Sequence, residues 1–81
     1  MSFEDRVKKV MGSILGVDPG TIQQDSSKDT IADWDSLKQM NLILALEEEF
    51  GVTIPDEEAA HLTSYQLIHL VMSELTGEKR L

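Results

Sequence analysis

Cysteine is absent from this 81-residue chain, and histidine, aromatic residues and positive charge are scarce: two His, four aromatics, and seven Lys+Arg against fifteen Asp+Glu. Without cysteine the chain has no disulfide, no thiolate metal ligand and no thiol nucleophile of its own. Two separated histidines, His61 and His69, leave few parts for a zinc site or a Ser/His/Asp triad, so no catalytic residue and no metal ligand is assigned. The net charge of −8 repels nucleic-acid phosphates and anionic lipid, which points to basic protein partners or cations and away from nucleic acid. No apolar run approaches the roughly 20 residues that span a bilayer, and the opening MSFEDRVKKV lacks the apolar centre of a secretion signal. The expectation is a cytoplasmic monomer with no membrane insertion and no enzymatic activity of its own. A chain of this size buries about 60–65% of its unfolded surface, enough for one core and a single domain over residues 1–81.

What is present reads as helix. Phe3, Val7, Val10, Met11, Ile14 and Leu15 recur at three- and four-residue spacing, with Ser2 placed to cap and Asp5 three residues on. Gly16-Val-Asp-Pro-Gly20 ends that helix. Residues 21–35 are polar and rich in Asp, Ser and Thr, and are expected to form a long ordered loop pinned by Ile22, Ile31 and Trp34; loops of that length tend to be functional. A second helix is predicted over 36–50, capped by Asp35, with Leu37, Met40, Ile43, Leu44, Leu46 and Phe50 as a wide apolar face and Gly51 as its left-handed stop. Val52–Ile54 should be extended, and Pro55 opens a brief acidic third helix through about His61. Thr63 with Gln66 reads as a T-x-x-Q capping box for the last helix, on which Leu67, Ile68, Val71, Met72 and Leu75 face inward. Residues 76–81 read as a flexible tail. The fold class is all-α, a four-helix bundle of three long helices, one short helix and a long first loop.

The charge is concentrated. Residues 33–58 hold eight acids (Asp33, Asp35, Glu47, Glu48, Glu49, Asp56, Glu57, Glu58) against Lys38 alone, a net −7, while residues 1–32 carry −1 and residues 59–81 balance. A Glu triplet by itself is a solvated face. A cluster covering two adjacent elements points to docking on a basic partner, because charge on one face steers encounter and fixes orientation.

Asp33-Trp34-Asp35-Ser36-Leu37 sets a serine hydroxyl in the first turn of the second helix, directly after the long loop. Helix N-termini carry unpaired N–H groups and a partial positive charge that accept phosphate, and a serine there is suited to carry a phosphoester into solvent. Asp and Ser are equally common as plain capping residues, and the local pattern taken alone favours that role. D-S-L at 35–37, A-L-E-E-E-F-G at 45–51, I-P-D-E-E-A at 54–59 and the first-helix block E-D-R-V-K-K-V followed by L-G-V at 15–17 stand in the order and spacing of the acyl carrier protein family, which the chain resembles over roughly residues 2–75. The resemblance implies that a phosphopantetheinyl transferase, using coenzyme A and Mg²⁺, attaches 4′-phosphopantetheine to Ser36. The arm ends in a thiol that holds an acyl group as a thioester for partner enzymes of fatty acid or related lipid or polyketide biosynthesis. Asp35 matches the aspartate that serves the transferase. Leu37, Met40, Glu47 and Glu48 would lie on the surface read by acyl-loading and acyl-processing enzymes with basic docking patches. Leu46, Ile54, Ala59, Leu62 and Ile68 would line an acyl-chain pocket.

Three departures bear on the subtype: Trp34 stands where the housekeeping fatty-acid carriers have a small residue, Lys38 where they have an acid, and Asn41 at another commonly acidic position. They favour a specialised carrier, and an aminoacyl or peptidyl carrier for a dedicated pathway is the alternative. Aligning Asp25, Ser27 and Asp29 to the first ligands of a calcium loop puts Thr30 where glycine is needed and Ser36 where a bidentate Glu is needed, so that reading fails twice. An unmodified acidic adaptor explains the charge but not Ser36 in its context. A hydrolase using Ser36 lacks a histidine with a reason to meet it.

Overall fold

A computed structural model of the chain describes residues 2–77, and among these residues it is helical with no strand. The elements are α1 (Phe3–Leu15), a 3₁₀ turn at Pro19–Thr21, α2 (Ser36–Phe50), α3 (Asp56–Ala59) and α4 (Tyr65–Thr76).

Each long helix begins on a side-chain cap and ends on a glycine in the left-handed region, so both sets of orphan backbone groups are met locally. Ser2 Oγ accepts from Asp5 N at 3.1 Å, and Gly16, Gly51 and Gly77 close α1, α2 and α4 with φ of 73°, 65° and 75°. The cap of α4 is Ser64, not Thr63: Ser64 is extended and its Oγ accepts from Leu67 N at 3.2 Å. Thr63 is instead taken up by the long loop, its carbonyl accepting from Lys28 N. α3 is also shorter than expected. Pro55 stands at its N-cap and the helix stops at Ala59, because Ala60 N and His61 N bond back within a single tight turn. At the C-terminus, Thr76 belongs to α4 and Gly77 caps it; the remainder of the expected tail, residues 78–81, lies outside the described residues.

α1 packs along α2 and against α4, with Val7, Met11, Leu42, Leu46, Ile68 and Met72 sealed in the core. The inward stripe of α2 is Gln39, Leu42, Ile43, Leu46 and Phe50, which corrects the wider face expected from sequence: Leu37, Met40 and Leu44 project into solvent at 66%, 66% and 58% exposure. Likewise on α4, Ile68 and Met72 are buried and Val71 is partly so, whereas Leu67 and Leu75 turn outward. Apolar residues in both helices exceed what one stripe of a 3.6-residue repeat can bury, and the excess is left on the surface.

The loop between α1 and α2 is ordered by its own short polar side chains. Ser26 Oγ accepts from Gln23 N, Thr30 Oγ1 from Ser27 N, and Ser27 Oγ from Asp29 N. An isolated antiparallel bridge, Ser27 with Ser64, and the bond from Tyr65 N to Ser26 O tie it to the start of α4. Ile22 and Trp34 are buried anchors at 2% and 5% exposure, and Ile31 is partly buried against the core. The loop thus delivers residue 35 to a fixed point at the head of α2.

Candidate functional site

Ser36 is the first helical residue of α2. Asp35 ahead of it has extended backbone (φ −108°, ψ −173°), and its Oδ1 accepts from Lys38 N at 2.8 Å. That cap uses the aspartate's oxygen and leaves the serine hydroxyl with no hydrogen-bond partner among the described residues; both side chains are exposed. A capping serine would spend its oxygen on a backbone N–H, so the structure separates the two readings of the D-S pair: Asp35 caps, and Ser36 is left over. A free, exposed hydroxyl over the N-terminus of a 15-residue helix fits a phosphoester, whose negative charge the helix end favours.

The surroundings are held by side-chain hydrogen bonds that sequence reasoning did not assign. Trp34 Nε1 donates to Gln39 Oε1 at 2.6 Å, and Gln39 Nε2 donates to the carbonyls of Ala59 and Leu62, each at 2.9 Å. One amide therefore joins the loop, α2 and the far end of α3. Its signal was available: Gln39 is the polar member of the stripe Gln39, Leu42, Ile43, Leu46, and an amide on a buried stripe requires partners. Lys38 turns away from the serine and donates from Nζ to Ile14 O at 3.3 Å, meeting an orphan carbonyl at the C-terminal end of α1. Beside Ser36 a cleft of about 360 Å³ is lined by Lys28, Trp34, Asp35, Gln39, Ala60 and Thr63.

Leu37 and Met40 stand exposed one turn apart next to Ser36. The two glutamates grouped with them differ in circumstance. Glu48 is exposed, whereas Glu47 is half-buried and its Oε2 accepts from Ile54 N at 2.7 Å, bracing the chain that leads into α3. The five residues expected to line an acyl pocket do not share one cavity. Leu46, Leu62 and Ile68 are sealed in the core, while Ile54 and Ala59 line a cleft of about 280 Å³ between α2 and α3, together with Gln39, Met40, Ile43 and Leu44 among others. His69 packs edge-on to Phe3 at 5.4 Å and beside Tyr65 at 5.8 Å, inside the bundle and not on an open helix face. Among the described residues no group of three or more His, Asp or Glu is placed to hold a metal ion, and Ser27 and Thr30 serve the loop's own backbone. No helix among these residues is long and apolar enough to cross a membrane.

A family model described as a phosphopantetheine attachment site matches residues 5–71. Among solved structures, the chain is similar to a holo acyl carrier protein from Geobacter metallireducens determined in solution by NMR, with a TM-score of 0.82 and 22% identity over 96% of this chain and 90% of that one. That likeness fixes the fold as the helical one of acyl carrier proteins.

Proposed function

Because the chain belongs to the phosphopantetheine attachment-site family, whose members are carriers and not catalysts, we propose that Ser36 is the residue to which the 4′-phosphopantetheine arm is joined. The observation that carries this is the division of labour at the head of α2: Asp35 satisfies the helix cap, and the Ser36 hydroxyl is left exposed, with no hydrogen-bond partner among the described residues. Coenzyme A is the donor and a phosphopantetheinyl transferase the partner: Ser36 Oγ attacks the pantetheine-side phosphorus, the pyrophosphate P–O bond breaks, adenosine 3′,5′-bisphosphate and the hydroxyl proton leave, and the product is a phosphodiester at Ser36 Oγ. When bound, the arm supplies the thiol that this cysteine-free chain lacks and holds acyl groups as thioesters. Asp35 holds the helix start and presents the serine to the transferase. Leu37, Met40 and Glu48 form the face met by enzymes with basic patches, with Glu47 contributing charge beside them.

The cargo belongs to fatty acid or related lipid or polyketide biosynthesis in the cytoplasm, delivered by a monomeric carrier. Trp34, Lys38 and Asn41 favour a carrier dedicated to one pathway. Lys38, committed to Ile14 O, adds a positive charge to the upper part of the docking helix and weakens its match to a strongly basic partner.

Intact mass after expression with an active phosphopantetheinyl transferase is the test. Wild type gains one phosphopantetheine unit and Ser36→Ala gains none; an unmodified wild type would refute the assignment. An adaptor would bind its partner equally well as Ser36→Ala.

A further inference from the structure

α3 is four residues long, buries no residue and has no side-chain cap, so its own bonds hold it poorly. Two side chains of α2 hold it in place. At the end nearer Ser36, Gln39 Nε2 donates to Ala59 O and Leu62 O; at the other end, Glu47 Oε2 accepts from Ile54 N. The apolar cleft of about 280 Å³ lies between these two clamps and is lined by Met40, Ile43, Leu44, Ile54 and Ala59. The clamps differ in kind. The Glu47 bond is short, charge-assisted and made to the entry of α3, whereas the Gln39 bonds are neutral and made to its exit.

The geometry points to Gln39 as a latch that sets access to the α2–α3 cleft, with Glu47 as the fixed hinge. An apolar group tethered at Ser36 reaches the cleft from the Gln39 end, one helical turn along α2. Widening the cleft there costs the two carbonyl bonds of Gln39 while leaving that of Glu47 intact. The same amide is oriented by Trp34 Nε1, so the latch is set by the residue that departs most in size from the family pattern. Gln39 is on this basis a specificity-determining residue. Latched, the cleft stays narrow and an apolar cargo remains exposed to solvent and enzymes; unlatched, the cargo is buried. This inference rests on the proposal that Ser36 bears the arm.

The test uses Gln39→Glu, which keeps length and the acceptor for Trp34 but cannot donate to the carbonyls, and Gln39→Met, which removes donor and acceptor alike. In the unmodified protein, hydrogen exchange at the amides of residues 58–62 should accelerate roughly tenfold in both variants, with α1 unchanged, as expected for losing two modest hydrogen bonds at a local opening. In the loaded protein, the rate of thioester cleavage by hydroxylamine is compared for octanoyl and acetyl cargo. The octanoyl-to-acetyl rate ratio should fall at least threefold in both variants relative to wild type. Equal ratios in a loaded wild type and variants, or unchanged exchange at 58–62, overturn the latch. A change in Gln39→Glu alone assigns the effect to the added charge and overturns it too. A chain that never acquires the arm refutes the carrier reading, a failure recognisable by mass before any rate is measured.

Discussion

Glu47 and Glu48 are neighbours in sequence and alike in chemistry, yet replacing them should give different outcomes. The Glu47 carboxylate accepts from the Ile54 N–H at 2.7 Å, and Ile54 is 3% exposed, so Glu47→Ala leaves a buried donor unpaired after losing a charge-assisted bond. Such a loss costs about 1.5–3 kcal/mol. In a domain of this size 1 kcal/mol moves the midpoint by roughly 4–8 °C, so thermal unfolding followed by far-UV circular dichroism should show a drop of roughly 6–24 °C. Glu48→Ala, at an exposed position, should remain within about 0.5 kcal/mol of wild type. Glu47→Gln keeps an acceptor and forfeits only the charge, so it should fall between the two. The gap between Glu47→Ala and Glu48→Ala should persist at high salt, because a short bond to a buried amide is screened less than an exposed charge. In transfer assays at low salt the roles reverse: Glu48→Lys should weaken enzyme docking without loss of stability. Equal midpoints for Glu47→Ala and Glu48→Ala, or a Glu47→Gln as damaged as Glu47→Ala, would refute the assignment of Glu47 as a brace.

Asp35 has two separable tasks. Asp35→Ala should lose about 1 kcal/mol of stability with the cap, whereas Asp35→Asn should stay close to wild type in denaturant unfolding because it still caps; both should slow arm attachment by a transferase, and an Asp35→Asn modified at the wild-type rate would show that its charge is not used. Gly12→Ala should destabilise despite alanine's better helix propensity. A Cβ there would sit 2.7 Å from Val17 O and 3.0 Å from Pro19 Cγ, where the turn after α1 folds back on the helix. Overpacking against backbone outweighs the propensity gain and leaves a net loss of about 1–2 kcal/mol, checked by the urea midpoint. Leu37→Glu and Met40→Glu should leave the midpoint unchanged, since both side chains are already largely in solvent, and should reduce acyl transfer by partner enzymes.

The helices and their stops were readable because their signals are local. Ser2, Asp35, Gly16 and Gly51 act on atoms within a few residues, and the stripe through Leu42, Ile43 and Leu46 repeats at the helical period. Misreadings arose where a local signal had two takers. Thr63 and Ser64 can each cap α4, and the choice went to Ser64 because the loop's Lys28 N–H claims the Thr63 carbonyl from about 35 residues away in sequence. Leu37, Met40 and Leu44 match an apolar face by spacing, and only the position of α1 decides which edge of that face is covered. Glu47 reads as part of the acidic docking face, Lys38 as a departure from the family pattern, and Gln39, on the inward stripe, as an amide in need of partners. Their partners, Ala59 O and Leu62 O, Ile14 O and Ile54 N, are backbone groups on other elements, which no side-chain pattern announces.

The same placement changes what the acidic cluster can offer a partner. Of its eight acids, Asp35 is engaged in the α2 cap, Glu47 in bracing Ile54, and Glu49 in an ion pair at 3.3 Å with Arg6, whose guanidinium also lies over the Phe50 ring at 4.5 Å. Asp33, Glu48, Asp56, Glu57 and Glu58 have no such tie among the described residues, and all but Glu58 are exposed. Three of these five lie on or at the start of α3, the element held least by its own bonds. A basic partner drawn to them would act on α3, while the exposed Leu37 and Met40 on α2 would supply the apolar contact beside Ser36. With Gln39 as the proposed latch, docking and the state of the cleft would be coupled through one segment. A partner that binds α3 more tightly when the Gln39 bonds are made favours the narrow cleft and lowers the cost of releasing a buried cargo by the same free energy, because the coupling is reciprocal.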